Sequence, residues 1–233
     1  MTSFPFQIVG FDLDGTLLDS LGDLGHAVNH ALSLEGRRAV PREEVRGFVG
    51  GGARKMLGNA LLATGGAVDE ARFEELHAAL LVHYEANIAA ETRLFPGGEA
   101  MLDALASRGV KIAVVTNKLE RFAKKIFGEL GLSERFYTVI GGDTLGPGRA
   151  KPRPDLLQLM LERAGEPGRA AYVGDTTYDT RAAAAAGLPC VAVSFGFNDL
   201  PPDELGAAAV IDHFDQLVPA LERVGKNAEP IPA

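Results

Sequence analysis

Cysteine is nearly missing from this chain: Cys190 is alone among 233 residues. One thiol excludes an intramolecular disulfide and any zinc site built from several cysteines. Basic residues are also short, with 23 Lys and Arg against 31 Asp and Glu and a net charge of −8. A surface of that sign suits neither a phosphate backbone nor an anionic membrane, so nucleic acid and membrane are not expected partners. A small anionic substrate is still allowed, because it needs only a few local cations. No apolar run approaches the roughly 18 residues of a membrane span. No Lys or Arg precedes Arg37, so the positive start of a secretory signal and the arginines of a transit peptide are lacking. Internal repeats are lacking too. The expectation is a soluble, cytoplasmic protein, monomeric or homodimeric.

What is present reads as ordinary globular sequence, with 46% apolar and 23% charged residues. The length suits one large domain or two small ones and buries a core without staples. Short apolar runs at Gln7–Phe11, Val110–Val115, Tyr137–Ile140, Ala170–Val173 and Cys190–Val193 predict buried strands, with Ala209–Ile211 a weaker sixth. Helical patterns lie between them, at about 98–107, 120–130, 155–164, 179–186 and 214–223. This alternation predicts an α/β fold, a parallel Rossmann-like sheet with helices on both faces. From about Ser20 to Ala90 the periodicity is helical throughout, with Pro41 starting a helix and Thr64-Gly65-Gly66 breaking one. So long an insertion predicts an all-helical cap over residues 16–92, on a core made of 1–15 and 93–233. The proline-containing tail, 227–233, is expected to fray.

The polar residues are informative by position. Asp12 and Asp14, Thr116 and Asn117, and Asp175 with Asp179 each follow a predicted strand and precede a helical segment. In an open parallel sheet, ligands bind beyond the carboxyl ends of the strands, so these side chains converge on one predicted site. Two aspartates two residues apart repel, and a divalent cation relieves the repulsion. All-oxygen ligands favour Mg²⁺ over zinc. Each piece alone has a plainer reading. Asp14-Gly15 could be a surface turn, Thr116-Asn117 a helix cap, Lys151-Pro152 a solvated loop and Asp179 the N-cap of its helix. His26 and His30 have helical metal spacing but no glutamate after His26, and all five histidines read as structural or surface groups. Cys190 reads as core. Gly50-Gly51-Gly52 lacks the spacing of a phosphate-binding loop and reads as a cap loop over the site.

Together, Asp12-Leu13-Asp14-Gly15-Thr16, Thr116-Asn117-Lys118, Lys151-Pro152 and Gly174-Asp175-Thr176-Thr177-Tyr178-Asp179 follow one order. In that order the chain resembles the haloacid dehalogenase-like phosphohydrolases over essentially its whole length. Phe48 to Ala53, Gly141 to Leu145 and Lys151 to Leu157 resemble the phosphoglycolate phosphatase branch of the family. Thr176 stands where the family often has serine, which keeps the hydroxyl.

The resemblance implies a Mg²⁺-dependent phosphomonoesterase for a small phosphorylated metabolite, 2-phosphoglycolate first. Asp12 would attack phosphorus and form an aspartyl-phosphate. Asp14 would protonate the leaving alkoxide and then activate water. Thr116 and Asn117 would hold phosphoryl oxygens, and Lys151 would balance charge. Asp175, Asp12 and the backbone carbonyl of Asp14 would ligate the metal, and Asp179 would act behind them. On the cap, Arg54 is the residue expected to read the substrate's carboxylate. A phosphosugar phosphatase, pyrophosphatase or mutase would share these core residues. A receiver-like phospho-acceptor module would have clustered aspartates but no long insertion.

Overall fold

The computed structural model describes residues 4–165 and 168–227. The expectation for the tail falls outside them, the backbone of Asn227 apart. The first strand, β1 (Ile8–Phe11), leads through a tight turn to a two-residue strand, β2 (Leu18–Asp19). Four helices follow: α1 (Leu21–Ser33), α2 (Arg42–Arg46), α3 (Ala53–Thr64) and α4 (Glu70–Ala86). The chain returns through β3 (Arg93–Leu94), antiparallel to β2, so a small ribbon brackets the four helices. Then come α5 (Gly98–Ala106), β4 (Lys111–Val115), α6 (Glu120–Glu129), β5 (Thr138–Ile140) and α7 (Asp155–Ala164). The last elements are β6 (Ala170–Gly174), α8 (Thr177–Ala185), β7 (Cys190–Val193), β8 (Ala209–Ile211) and α9 (Leu217–Asn227).

Six strands form one parallel sheet in the order β5-β4-β1-β6-β7-β8. The α/β expectation therefore holds, including the weak sixth strand. Alternation along each strand sends side chains to opposite faces. Val9, Phe11, Ile112 and Val114 pack on one face, in a core continuous with the inserted helices. Ile8, Ala113, Val115 and Tyr172 pack on the other, against Leu156, Leu157 and Met160 of α7 and the small Ala182 and Ala183 of α8. Cys190 is buried in that second core, as its strand position predicts.

Two boundaries differ from the expectation. Helix α8 starts at Thr177, not Asp179, because Thr176 is the cap. Asp179 sits one turn in and accepts from the Thr176 N–H and hydroxyl, at 3.0 and 2.7 Å. The last helix begins at Leu217 behind a 3-10 turn, Phe214–Gln216, whose start is fixed by His213 accepting from the Asp215 N–H.

The insertion is tied down by a charge that periodicity does not reveal. Asp23 of α1 is 1% exposed, and its carboxylate accepts from the Glu91 and Thr92 N–H groups and the Thr92 hydroxyl at 2.7–3.1 Å. It anchors the return of the chain to the sheet. No helix among the described residues is long and apolar enough to cross a membrane.

Candidate active site

β1 and β6 lie side by side at the centre of the sheet, and their carboxyl ends deliver Asp12 and Asp175. Asp12 continues the ladder by donating its N–H to the Val173 carbonyl at 2.9 Å, which fixes its backbone. The chain then turns at Gly15, with φ near +85°, where a Cβ would also collide with the Asp175 carboxylate and Phe197. Thr16 comes back to donate its hydroxyl to Asp175 at 3.0 Å, and the Phe197 N–H donates to the other oxygen at 2.7 Å. Lys151 arrives from the loop before α7 and is 4% exposed. Its ammonium donates to Asp179 at 2.6 Å and to the Tyr172 hydroxyl at 2.9 Å. It lies 2.9 Å from Asp12 Oδ1, off the direction of a hydrogen bond. The Tyr172 hydroxyl in turn donates to the Val115 carbonyl at 2.6 Å.

Carboxylate oxygens of Asp12, Asp175 and Asp179 lie within 4.8 Å of one another, all buried. Burial raises the Asp12 pKa to about 6, helped by Asp179 and Asp14 and opposed by Lys151. Burial and then the like charges of Asp179 and Asp12 push Asp175 well above the usual carboxylate range. The Lys151 pKa rises as well, which for an ammonium favours the charged form. Its burial disfavours the charge, but Asp12 and Asp179 outweigh it and hold the ammonium protonated. One cation thus faces three carboxylates, and a second, divalent cation would relieve what remains. The donor set fits such an ion, because it is all oxygen and Asp12 and Asp175 are adjacent at the strand ends. Both Asp179 oxygens are engaged, by Lys151 and by the Thr176 cap. Asp179 therefore orients Lys151 and the start of α8.

Asp14 belongs to a second group. Its carboxylate accepts from Lys118 at 3.0 and 2.8 Å and from the Ser20 hydroxyl at 2.5 Å. Lys118 Nζ also lies 4.6 Å above the ring of Tyr84, from α4. Burial works against the Lys118 charge, and Asp14 and Tyr84 outweigh it and raise its pKa. Thr116, at the end of β4, is 2% exposed and accepts from the Lys118 N–H at 3.3 Å. The Asn117 amide donates to the carbonyls of Gly50 and Lys151, at 3.0 and 3.1 Å, and so links the cap loop to the core. Neither residue caps α6, whose N-cap is Leu119.

Asp14, Asn117, Lys118 and Lys151 line a cavity of about 460 Å³ whose far side is formed by the insertion, including Gly50, Met56, Leu80 and Tyr84. Asp12 does not line it and is joined to it by Lys151. Arg54 lines the cavity too, but its guanidinium is held by Glu74 at 2.5 Å and Glu70 at 3.1 Å. The structure thus gathers Asp12, Asp14, Thr116, Asn117, Lys151, Asp175 and Asp179, and leaves Arg54 paired on the cap. Sequence reasoning gives no role to Lys118, Ser20, Tyr84 or Tyr172. The position of Lys118, directly after Thr116-Asn117, was the available signal. The other three have no local pattern, because their partners come from distant segments.

The model of the haloacid dehalogenase-like hydrolases matches residues 9–193. A phosphoglycolate phosphatase of Agrobacterium fabrum is 37% identical over 225 residues, covering 95% of each chain. One of Rhodospirillum rubrum is 39% identical over 216 residues, covering 91% of this chain and 89% of the relative. The crystal structure of a predicted phosphoglycolate phosphatase from Haemophilus somnus superposes with a TM-score of 0.86 at 28% identity, covering 94% of this chain and 98% of that one.

Proposed function

The chain belongs to the haloacid dehalogenase-like hydrolases, and from that premise we propose that it is a Mg²⁺-dependent phosphomonoesterase hydrolysing 2-phosphoglycolate to glycolate and phosphate. The observation that carries this reading is the buried carboxylate cluster at the strand ends, with Lys151 bonded inside it. Relatives of 37–39% identity named phosphoglycolate phosphatase support the substrate. Residues 16–92 serve as the cap and the remainder as the catalytic core.

Asp12 is the nucleophile. Its carboxylate attacks phosphorus, the alkoxide leaves, and an aspartyl-phosphate forms on Asp12. Asp14 gives the alkoxide its proton, then takes one from the water that attacks the acyl phosphate, so the residue ends each cycle as it began. Thr116 offers its hydroxyl and Asn117 its backbone N–H to the phosphoryl oxygens. Lys151 remains charged beside Asp12 and stabilises the transferring group. Asp12, Asp175 and the backbone carbonyl of Asp14 would hold Mg²⁺, and Asp179 keeps Lys151 in place. The ion supplies charge neutralisation between two anions, the nucleophile and the phosphate. The cap excludes water from phosphoryl transfer, and the substrate's carboxylate is left to the cations of the cavity, Arg54 or Lys118.

Phosphate release from a panel of phosphorylated metabolites, with and without Mg²⁺, tests the reading. It predicts multiple turnovers, dependence on the ion and the highest kcat/KM for 2-phosphoglycolate. A single stoichiometric phosphorylation would instead indicate a signalling module, and a sugar phosphate at the top would indicate a phosphosugar enzyme.

A further inference from the structure

Three Lys or Arg side chains line the cavity, and their partners differ in kind. Lys151 is enclosed by Asp12, Asp179 and Tyr172. Arg54 is half exposed and tied to two glutamates of its own cap. Lys118 is only 6% exposed, and its one carboxylate partner is Asp14, the group that must turn to the leaving oxygen during catalysis. A buried ammonium cannot be left unpaired without a large cost, so a second anion must replace Asp14 whenever Asp14 moves.

Beside Lys118 sits a buried O–H donor that has no acceptor. Tyr84 is 3% exposed and lines the cavity, and its hydroxyl, beside the Lys118 ammonium, donates to no acceptor among the described residues. Burial pushes its pKa up to about 12, so the hydroxyl keeps its proton. Buried hydroxyls left without a partner are uncommon in folded proteins and call for one. An ammonium and an O–H donor side by side suit a carboxylate, which offers about four lone-pair sites.

The geometry points to Lys118 and Tyr84 as the subsite for the substrate's carboxylate, occupied by the Asp14 carboxylate until substrate arrives. This rests on the phosphoglycolate reading above and deepens it. The incoming carboxylate takes the Lys118 ammonium and the Tyr84 hydroxyl, and Asp14, no longer paired with an ammonium, takes up a proton from solvent and turns toward the leaving oxygen. Recognition of the correct substrate thereby sets the acid–base residue free. Lys118 acts on the chemistry only through Asp14, as a positioning and specificity residue. Apart from that one proton on Asp14, no covalent bond changes in this exchange.

Ethyl phosphate has the carbon–oxygen frame of 2-phosphoglycolate without the carboxylate, so the ratio of kcat/KM for the two isolates the subsite. With Mg²⁺ present, the wild-type ratio is well above one. Lys118→Met lowers that ratio by about 10–100-fold, the worth of a hydrogen bond to a charged group. Tyr84→Phe lowers it less, and Lys118→Arg restores part of it. In an Asp12→Asn background, Lys118→Met weakens calorimetric binding of 2-phosphoglycolate more than that of orthophosphate. A wild-type ratio near one overturns both this inference and the substrate assignment. A high wild-type ratio unchanged by Lys118→Met and Tyr84→Phe overturns this inference alone and returns the carboxylate to Arg54.

Discussion

At the strand ends, Asp12, Lys151, Asp175 and Asp179 are buried and linked to one another. On the cap side, Arg46, Arg54 and Lys55 are exposed. Arg54 holds glutamates of α4, Lys55 reaches the Tyr178 hydroxyl, and Arg46 donates to the Gly196 carbonyl. In the first group Asp12 and Asp175 are fixed at strand ends, and Lys151, from the loop before α7, and Asp179, from the first turn of α8, are locked to them by buried contacts. The second depends on how helices happen to meet. The contrast is between charges locked in a buried network and charges held only by exposed pairs. Electrostatic stabilisation needs preorganised charges, and only the buried network supplies them.

Substitutions at the rigid end should have the larger effects. Asp12→Asn should lower kcat by at least about 10⁴-fold, as removal of a nucleophile does elsewhere, while circular dichroism and melting remain those of a folded protein. Lys151→Met would leave Asp12 and Asp179 without their buried counter-charge and should cost about 3–5 kcal/mol of stability. Urea unfolding of the metal-free protein checks this, and a loss below 1 kcal/mol would mean that the cluster is not electrostatically tight.

Asp14 lies between the two regions and should behave accordingly. Asp14→Asn should reduce kcat by about 10²–10⁴-fold, the range for general acid–base catalysis, with little change in the Mg²⁺ concentration needed for half activity. Asp175→Asn should chiefly raise that Mg²⁺ requirement. Identical metal titrations for the two variants would erase the division of roles. On the cap, Arg54→Ala should change stability and kcat/KM within about fivefold, because exposed pairs contribute little. A larger loss confined to 2-phosphoglycolate would show that Arg54 leaves Glu70 and Glu74 to meet substrate.

The same contrast explains what could be read from sequence. Asp12, Asp14, Thr116 and Asp175 each follow an apolar run, so the strand pattern locates them on one edge of the sheet before any contact is known. Thr176 and Asp179 announce a helix start through their spacing, although the spacing alone does not say which of them is the cap. Lys151 was visible only as part of a motif order. Tyr172, which bonds to it, looked like any apolar strand residue. Asp23 and Tyr84 were illegible for a related reason. They sit on helices of the insertion, and their meaning comes from Glu91, Thr92 and Lys118, which lie far away in the chain. Arg54 follows three glycines, which suggests a mobile reader of substrate, and in the structure its exposed guanidinium pairs with Glu70 and Glu74.

The central claim is that Asp12 carries the phosphoryl group between the two half-reactions. Acid-quenching the wild-type enzyme within milliseconds of mixing with 2-phosphoglycolate and Mg²⁺, then mapping peptides by mass spectrometry, tests it directly. The account predicts one added phosphoryl group on the peptide containing Asp12, present early in turnover and missing from Asp12→Asn. Steady hydrolysis with no label on that peptide, or comparable turnover by Asp12→Asn, would contradict it.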